Sequence, residues 1–343
     1  MNHINILKRA LNITINYRAL WIFGMLLALT AGGSGGNGGG SNTSSTGDHP
    51  GYNGQNPFGE FPHITPEISN SIIAIGIGIA CFILLLVVAA AIVRYVSENA
   101  LIHMVDEHEK SGGKLTVRQG FRLGWSRAAW KMFLIDLLTG LSIMVGFLLL
   151  LALAALPLLV WLTKSVPLQI VGSVIAGGLA LLVIFALIIA SLAVSLIVLF
   201  ARRACALEDL GVRASIRRGY EMVRGRLGDA VLMGVMMFGI GLIWALITIP
   251  IFLAILAAAA LFGGLPALLV GSIVGLFASG HTPWIVAAIV GIPLFLIAMV
   301  IPGALIGGWQ QVFSSTTWTL TYRETLALEQ VKGKDELPAP ETT

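Results

Sequence analysis

From Ala230 to Tyr322 the chain carries no Lys, Arg, Asp or Glu, and the runs Ile72 to Val93 and Leu168 to Ala201 are equally free of formal charge. A fourth run, Met132 to Leu162, holds a single acid, Asp136, and a shorter one covers Ala19 to Ala31. A bilayer core takes roughly 20 helical residues per crossing. Stretches this long and this apolar are therefore read as transmembrane helices. Overall 57% of residues are hydrophobic and only 11% charged, which excludes a soluble globule. Two of the runs overshoot a single span and must tilt, protrude or, in one case, bend near Pro157. Ala230 to Tyr322 is expected to hold two crossings with a re-entrant or surface-lying helix at 264–280 between them. Four short crossings would return Arg323 to the same side.

Basic residues set the orientation. The first 18 residues carry 3 Lys or Arg, residues 94–131 carry 7, residues 202–226 carry 7, and the segment from Arg323 carries 3. Lys164 alone falls on the opposite face. This asymmetry predicts six spans with both termini cytoplasmic. The first apolar run, ending Leu29-Thr30-Ala31, also has the form of a secretory signal peptide. Retention is expected, because the residues before it match an internal repeat.

That repeat is a small basic device. Leu7-Lys8-Arg9-Ala10-Leu11, Val117-Arg118-Gln119-Gly120-Phe121 and Ile216-Arg217-Arg218-Gly219-Tyr220 share one order: an apolar residue, a base, a polar residue, a small residue and a larger apolar one. Another arginine follows in each case, at Arg18, Arg127 and Arg226. Ile216, Tyr220, Val223 and Leu227 have the spacing of one helix face, and Val117, Phe121 and Ala128 keep most of that stripe. A short basic amphipathic helix before a span lies in the interface with its bases toward phosphates. The expected fold is thus an all-α polytopic membrane protein of six transmembrane helices. They form three parallel-repeat hairpins, each preceded by a basic interfacial helix. The chain reads as one membrane domain over 1–343. Repeat 1 spans 1–93 and includes a flexible Gly/Ser-rich extracytoplasmic loop at 32–67. Repeat 2 spans 94–201 and repeat 3 spans 202–326, followed by a flexible cytoplasmic tail at 327–343.

The segments SGGKLTVRQGFRLGW (Ser111 to Trp125) and FSSTTWTLTYRE (Phe313 to Glu324), with the order of elbow helix and hairpin, resemble the bacterial membrane-domain family found fused to glycerophosphodiester phosphodiesterases. Standalone members of that family lack the catalytic barrel, and no polar region here is long enough to be one. The resemblance implies a bacterial cytoplasmic membrane protein and carries no phosphodiesterase activity.

Chemistry-bearing clusters are sparse. His103, Asp106, Glu107 and His108 have metal-ligand types, but their spacing misses the HExxH and HxxEH patterns, so they are read as a solvated helix face. Asp136 and Asp229 are the acids nearest bilayer depth, both placed toward the positive ends of their helices. Gln310 and Gln311 lie near the cytoplasmic end. Thr139, Ser142, Ser191, Ser195, Ser314 and Thr317 are expected to bond their own backbone or a neighbouring helix. Trp309, Trp318 and Tyr322 are read as interface anchors, and Cys81 and Cys205 as packing residues. No cofactor, metal, catalytic group or nucleic-acid contact is expected. The expected partners are membrane lipids with anionic head groups, with a protein partner left open. The contact residues are Lys8, Arg9, Arg18, Arg118, Arg122, Arg127, Arg217, Arg218 and Arg226. Function is read as a non-enzymatic scaffold organising lipid or a partner at the cytoplasmic leaflet. The alternative is a small-molecule or lipid transporter with its path between the repeats.

Overall fold

The structure is a computed structural model that describes residues 2–30, 66–162, 165–277 and 280–335. The expected loop at 32–67 lies outside the described residues except for its last two positions. Every regular element is helical: α1 (His3–Asn16), α2 (Ala19–Thr30), α3 (Pro66–Ser111), α4 (Val117–Gly124), α5 (Arg127–Ala155), α6 (Val166–Leu207), α7 (Val212–Gly225), α8 (Leu227–Gly275) and α9 (Thr282–Asp335). A short 3-10 helix, Leu156–Leu162, which contains Pro157, follows α5. Five helices are long and apolar enough to cross a membrane, and a sixth is reached if α1 and α2, bent 98° apart, count as one span. Alone, the 12 residues of α2 rise about 18 Å, short of a full crossing.

The chain divides into two compact units. One is Met1–Gly36 with Arg94–Thr343, and the other is Asn37–Val93. The described part of the second is the beginning of α3, an apolar helix with large side chains such as Phe82, Leu84 and Leu85 exposed.

The first unit has a hydrophobic core at one end, the end that carries the basic segments. Ile6, Tyr17, Leu20, Phe23, Leu101, Met104, Phe200, Met222, Met233, Val312 and Tyr322 form its centre. A smaller cluster of Ile102, Met132, Ile135, Ala201 and Cys205 adjoins it. Toward the other end, Leu149, Leu181, Leu246 and Leu296 stand exposed along α5, α6, α8 and α9. That is the pattern expected where acyl chains rather than protein cover the helix.

Two expectations about the last third of the chain are corrected. Residues 264–275 are the final turns of α8, continuous through Pro266, in place of a separate re-entrant helix. Two long helices, α8 and α9, therefore fill the uncharged region. Residues 327–335 continue α9 instead of forming a flexible tail. The expected interface anchors are packing groups. Trp309 stacks on Trp244 with ring centroids 5.0 Å apart, while Trp318 and Tyr322 are buried against Phe200.

Glycine sets the closest helix crossings. A Cβ on Gly308 of α9 would lie 2.7 Å from the Met25 backbone nitrogen of α2, and one on Gly263 of α8 would lie 2.8 Å from the Gly291 carbonyl of α9. Backbone cannot retreat as a flexible side chain can, so these positions exclude larger residues. Gly303, one turn away, faces open space. Overpacking of this kind costs roughly 1–3 kcal/mol or more. Gly308→Val is expected to lower the melting temperature of the detergent-purified protein by several degrees, with Gly303→Val close to wild type in the same scan.

Candidate functional site

The basic end is built on three short helices, α1, α4 and α7; α4 and α7 are each followed by a much longer helix, and α1 by the 12-residue α2. Asn2 caps α1 by accepting from the Asn5 amide, and Thr116 opens α4 in a reciprocal capping box with Gln119. The small residue of each basic segment, Ala10, Gly120 or Gly219, is buried. A Cβ on Gly120 would lie 2.9 Å from the Phe23 ring, and one on Gly219 would lie 2.7 Å from the Ile197 carbonyl. One residue on, the helix has turned about 100°, and the larger apolar side chain points outward. Leu11 is 41% exposed, Phe121 50% and Tyr220 48%. Leu7, Val117 and Ile216 are half-buried, and Lys8, Arg118 and Arg217 are exposed. The expected stripe of Ile216, Tyr220, Val223 and Leu227 is thus split. Val223 faces the core, Tyr220 faces outward, and Leu227 belongs to α8.

The elbows are fastened to the bundle by polar contacts. Buried Asn99 of α3 donates to the Leu123 and Gly124 carbonyls at 3.2 and 3.1 Å and to the Ser126 hydroxyl at 2.8 Å. It thereby satisfies the open carbonyls at the end of α4 and fixes the bend into α5. The Tyr17 hydroxyl donates to the Leu115 carbonyl at 2.9 Å, and Lys114 donates to the Asn16 carbonyl at 3.0 Å, joining the first elbow to the second.

Ion pairs use some of the predicted cations and leave others free. Arg9 pairs with Glu109, Arg217 with Glu221 at 2.8 Å, and Arg218 with Glu329 at 2.7 Å. Asp229, in the first turn of α8, lies 3.3 Å from His3 and 3.7 Å from Arg226. Lys8, Arg18, Arg118, Arg122 and Arg127 are exposed and make no ion pair among the described residues. Gln310 and Gln311 are half-buried on α9. Thr139, Ser142, Ser191 and Ser195 each donate to a carbonyl three or four residues back, as their positions in apolar helices require. Among the described residues no group of three His, Cys, Asp or Glu is placed to hold a metal.

The strongest charge arrangement was missed by sequence reasoning. Arg202 of α6 donates through Nε to Asp136 of α5 at 2.9 Å and through Nη1 to both Glu98 oxygens of α3 at 2.9 and 3.1 Å. Tyr95 adds a hydroxyl donor to Asp136 at 3.0 Å. Arg203 beside it is only 4% exposed and donates to the Leu199 carbonyl at 2.7 Å. Two arginines and two carboxylates leave this cluster without net charge. The hairpin register carries a usable signal: Asp136 lies about 14 Å from the start of α5, and Arg202 about 8 Å from the end of α6. Antiparallel neighbours therefore bring them to similar depth. The supposedly solvated HMVDEHE face is also corrected. Met104 and Val105 are fully buried, and Asp106 is buried between Lys110, at 2.6 Å, and Arg323. Removing one partner from a buried pair strands its carboxylates at a cost of about 3–5 kcal/mol. Arg202→Met is expected to lose most folded yield in detergent, whereas Tyr95→Phe, which removes one hydrogen bond, should retain a measurable but lowered melting temperature.

Asp209 closes the turn between α6 and α7 with φ +49°, a left-handed conformation that Asp tolerates better than branched residues. Lys131 donates to its carboxylate at 2.6 Å and holds its pKa below the usual carboxylate range. With the folded value depressed, the pair's contribution is present above the unfolded pKa of about 3.9 and is lost as pH falls through the lower folded value. The melting-temperature gap between wild type and Asp209→Asn should be constant near neutrality and narrow as pH is taken below about 4. A gap that widened in acid would contradict the pairing.

Among the described residues the helices define an all-α chain with five to six segments able to cross a bilayer. It belongs to the family described as "Family of unknown function (DUF7544)", which matches residues 13–320. No curated protein and no solved structure matches the chain.

Proposed function

We propose that this is a non-enzymatic integral membrane protein that gathers anionic lipid, or a partner protein drawn to the same charges, at the cytoplasmic leaflet. The observation that carries this reading is the set of exposed, unpaired cations on short helices whose neighbouring apolar side chains point away from the core. A helix that buries its small residue, presents a base and turns a Leu, Phe or Tyr outward fits the boundary between head groups and acyl chains. A short basic helix followed by two further helices, found three times, supports three parallel hairpins, though the first of the two is long only after α4 and α7. The shared exposure pattern of Ala10, Gly120 and Gly219 with Leu11, Phe121 and Tyr220 supports the same arrangement. It is also what the resemblance to phosphodiesterase-associated membrane domains implies. With the basic end inside, both termini are cytoplasmic in a bacterial inner membrane.

Purified protein offered an equimolar mixture of phosphatidylglycerol and phosphatidylcholine should retain the anionic lipid preferentially, with the preference falling as salt rises. Equal retention of the two lipids would refute the lipid reading. Labelling of Arg118→Cys and Arg217→Cys with a membrane-impermeant thiol reagent should succeed from the same side of the membrane. Opposite sides would refute the topology.

A further inference from the structure

The three elbows are alike in sequence, but their free charge differs. On α7, Arg217 and Arg218 are engaged by Glu221 and Glu329, and Arg226, just beyond it, lies near Asp229. On α1, Arg9 is engaged by Glu109. The α4–α5 elbow keeps all its arginines. From Lys110 to Ile135 there is no acidic residue, and Arg118, Arg122 and Arg127 are exposed without an ion pair among the described residues. The two neighbouring lysines that do find carboxylates, Lys110 and Lys131, reach outside this stretch to Asp106 and Asp209.

Of the three elbows, this one carries the most exposed aromatic surface. Trp125 is 63% and Trp130 64% exposed, with Phe121 tilted against Trp125 at 5.9 Å between ring centroids and Phe133 against Trp130 at 5.1 Å. Tryptophan beside arginine suits the head-group level, where one edge of the ring is wet and the other meets hydrocarbon. The surface continues into exposed Leu137, Leu138 and Leu141 on α5. Ser126, at the start of α5, makes no side-chain cap; its hydroxyl accepts from Asn99, leaving the positive helix end to add to the arginines.

We infer that the α4–α5 elbow is the principal head-group contact of the protein, holding the phosphate of an anionic phospholipid among Arg118, Arg122 and Arg127 with Trp125 and Trp130 beside the upper acyl chain. Charge complementarity and continuity with a hydrocarbon-facing helix select lipid over a protein partner. The inference rests on the proposed lipid function and narrows it to one of three similar elements.

The test is native mass spectrometry of the detergent-purified full chain with an equimolar mixture of phosphatidylglycerol and phosphatidylcholine. The variants are R118Q/R122Q/R127Q and, as an equal-chemistry control, R213Q/R224Q on α7, whose arginines are also exposed and unpaired. Each base near an anionic surface is worth about 1 kcal/mol; with the phosphate held among Arg118, Arg122 and Arg127, the triple variant should lower the phosphatidylglycerol preference about tenfold or more, and the control, whose arginines lie outside that contact, clearly less. Because none of the three arginines makes an ion pair and Arg127 acts only at longer range on exposed Asp209, elution volume and melting temperature should stay near wild-type values. R118K/R122K/R127K should keep the preference. In a second measurement, brominated phosphatidylglycerol should quench wild-type fluorescence more than the brominated neutral lipid does, and Trp125→Phe/Trp130→Phe should remove that excess.

A triple variant with wild-type preference, or equal losses in triple and control, overturns the inference while leaving the wider lipid reading standing. A wild-type protein without any preference overturns both. A dimer mass lost in the triple variant, with lipid retention unchanged, assigns the elbow to a second copy and overturns the lipid occupant.

Discussion

One guanidinium, that of Arg202, is shared by carboxylates from two other helices. Glu98 on α3 and Asp136 on α5 meet it on α6, so three helices are tied at one level. Charges set between long apolar segments must be neutralised where they lie, because hydrocarbon offers no water to solvate them. The pairs Asp106 with Arg323 and Glu329 with Arg218 extend the same solution to α9. Side chains close-packed around these pairs, Leu101, Ile102, Met132 and Phe200 among them, form the core. The apolar lengths beyond it need little packing, since lipid accommodates them.

The short helices show how one pattern performs two tasks. Their glycines and alanine bring backbone against backbone, which only small residues allow. Their neighbouring bases and larger apolar groups are turned away by the pitch of the helix. Threonine plays a comparable part inside α9. Thr319 and Thr321 bond the carbonyls of Ser315 and Thr317 at 2.8 Å each, so their hydroxyls are hidden and their methyl groups pack.

Much of the architecture was legible in the sequence because it depends on composition over long windows. The long apolar helices, the short helices at the basic segments and the two helices filling Ala230 to Tyr322 follow from charge-free length and from Gly and Arg placement. What stayed hidden depends on which faces meet. Arg9 and Arg218 look like Arg118 and Arg122 in sequence, and only the arrival of Glu109 and Glu329 distinguishes them. Asp106 reads as solvated until Arg323, 217 positions away, reaches it. Gly264 and Pro266 suggested a break, but proline lacks only one amide bond and the neighbouring turns carried α8 through.

Within α9, Pro293 and Pro302 sit in the apolar half, and the same 54-residue rod carries Tyr322, Arg323 and Glu329 at its far part. From Pro302 to Glu329 the rod is about 40 Å long. A change of about 10° in helix direction at Pro302 would sweep Glu329 sideways by about 7 Å, well beyond the reach of any ion pair. The charged contacts therefore act as a latch at the far end of a long lever, and any bending at Pro302 would have to be small enough to leave them closed or would have to break them.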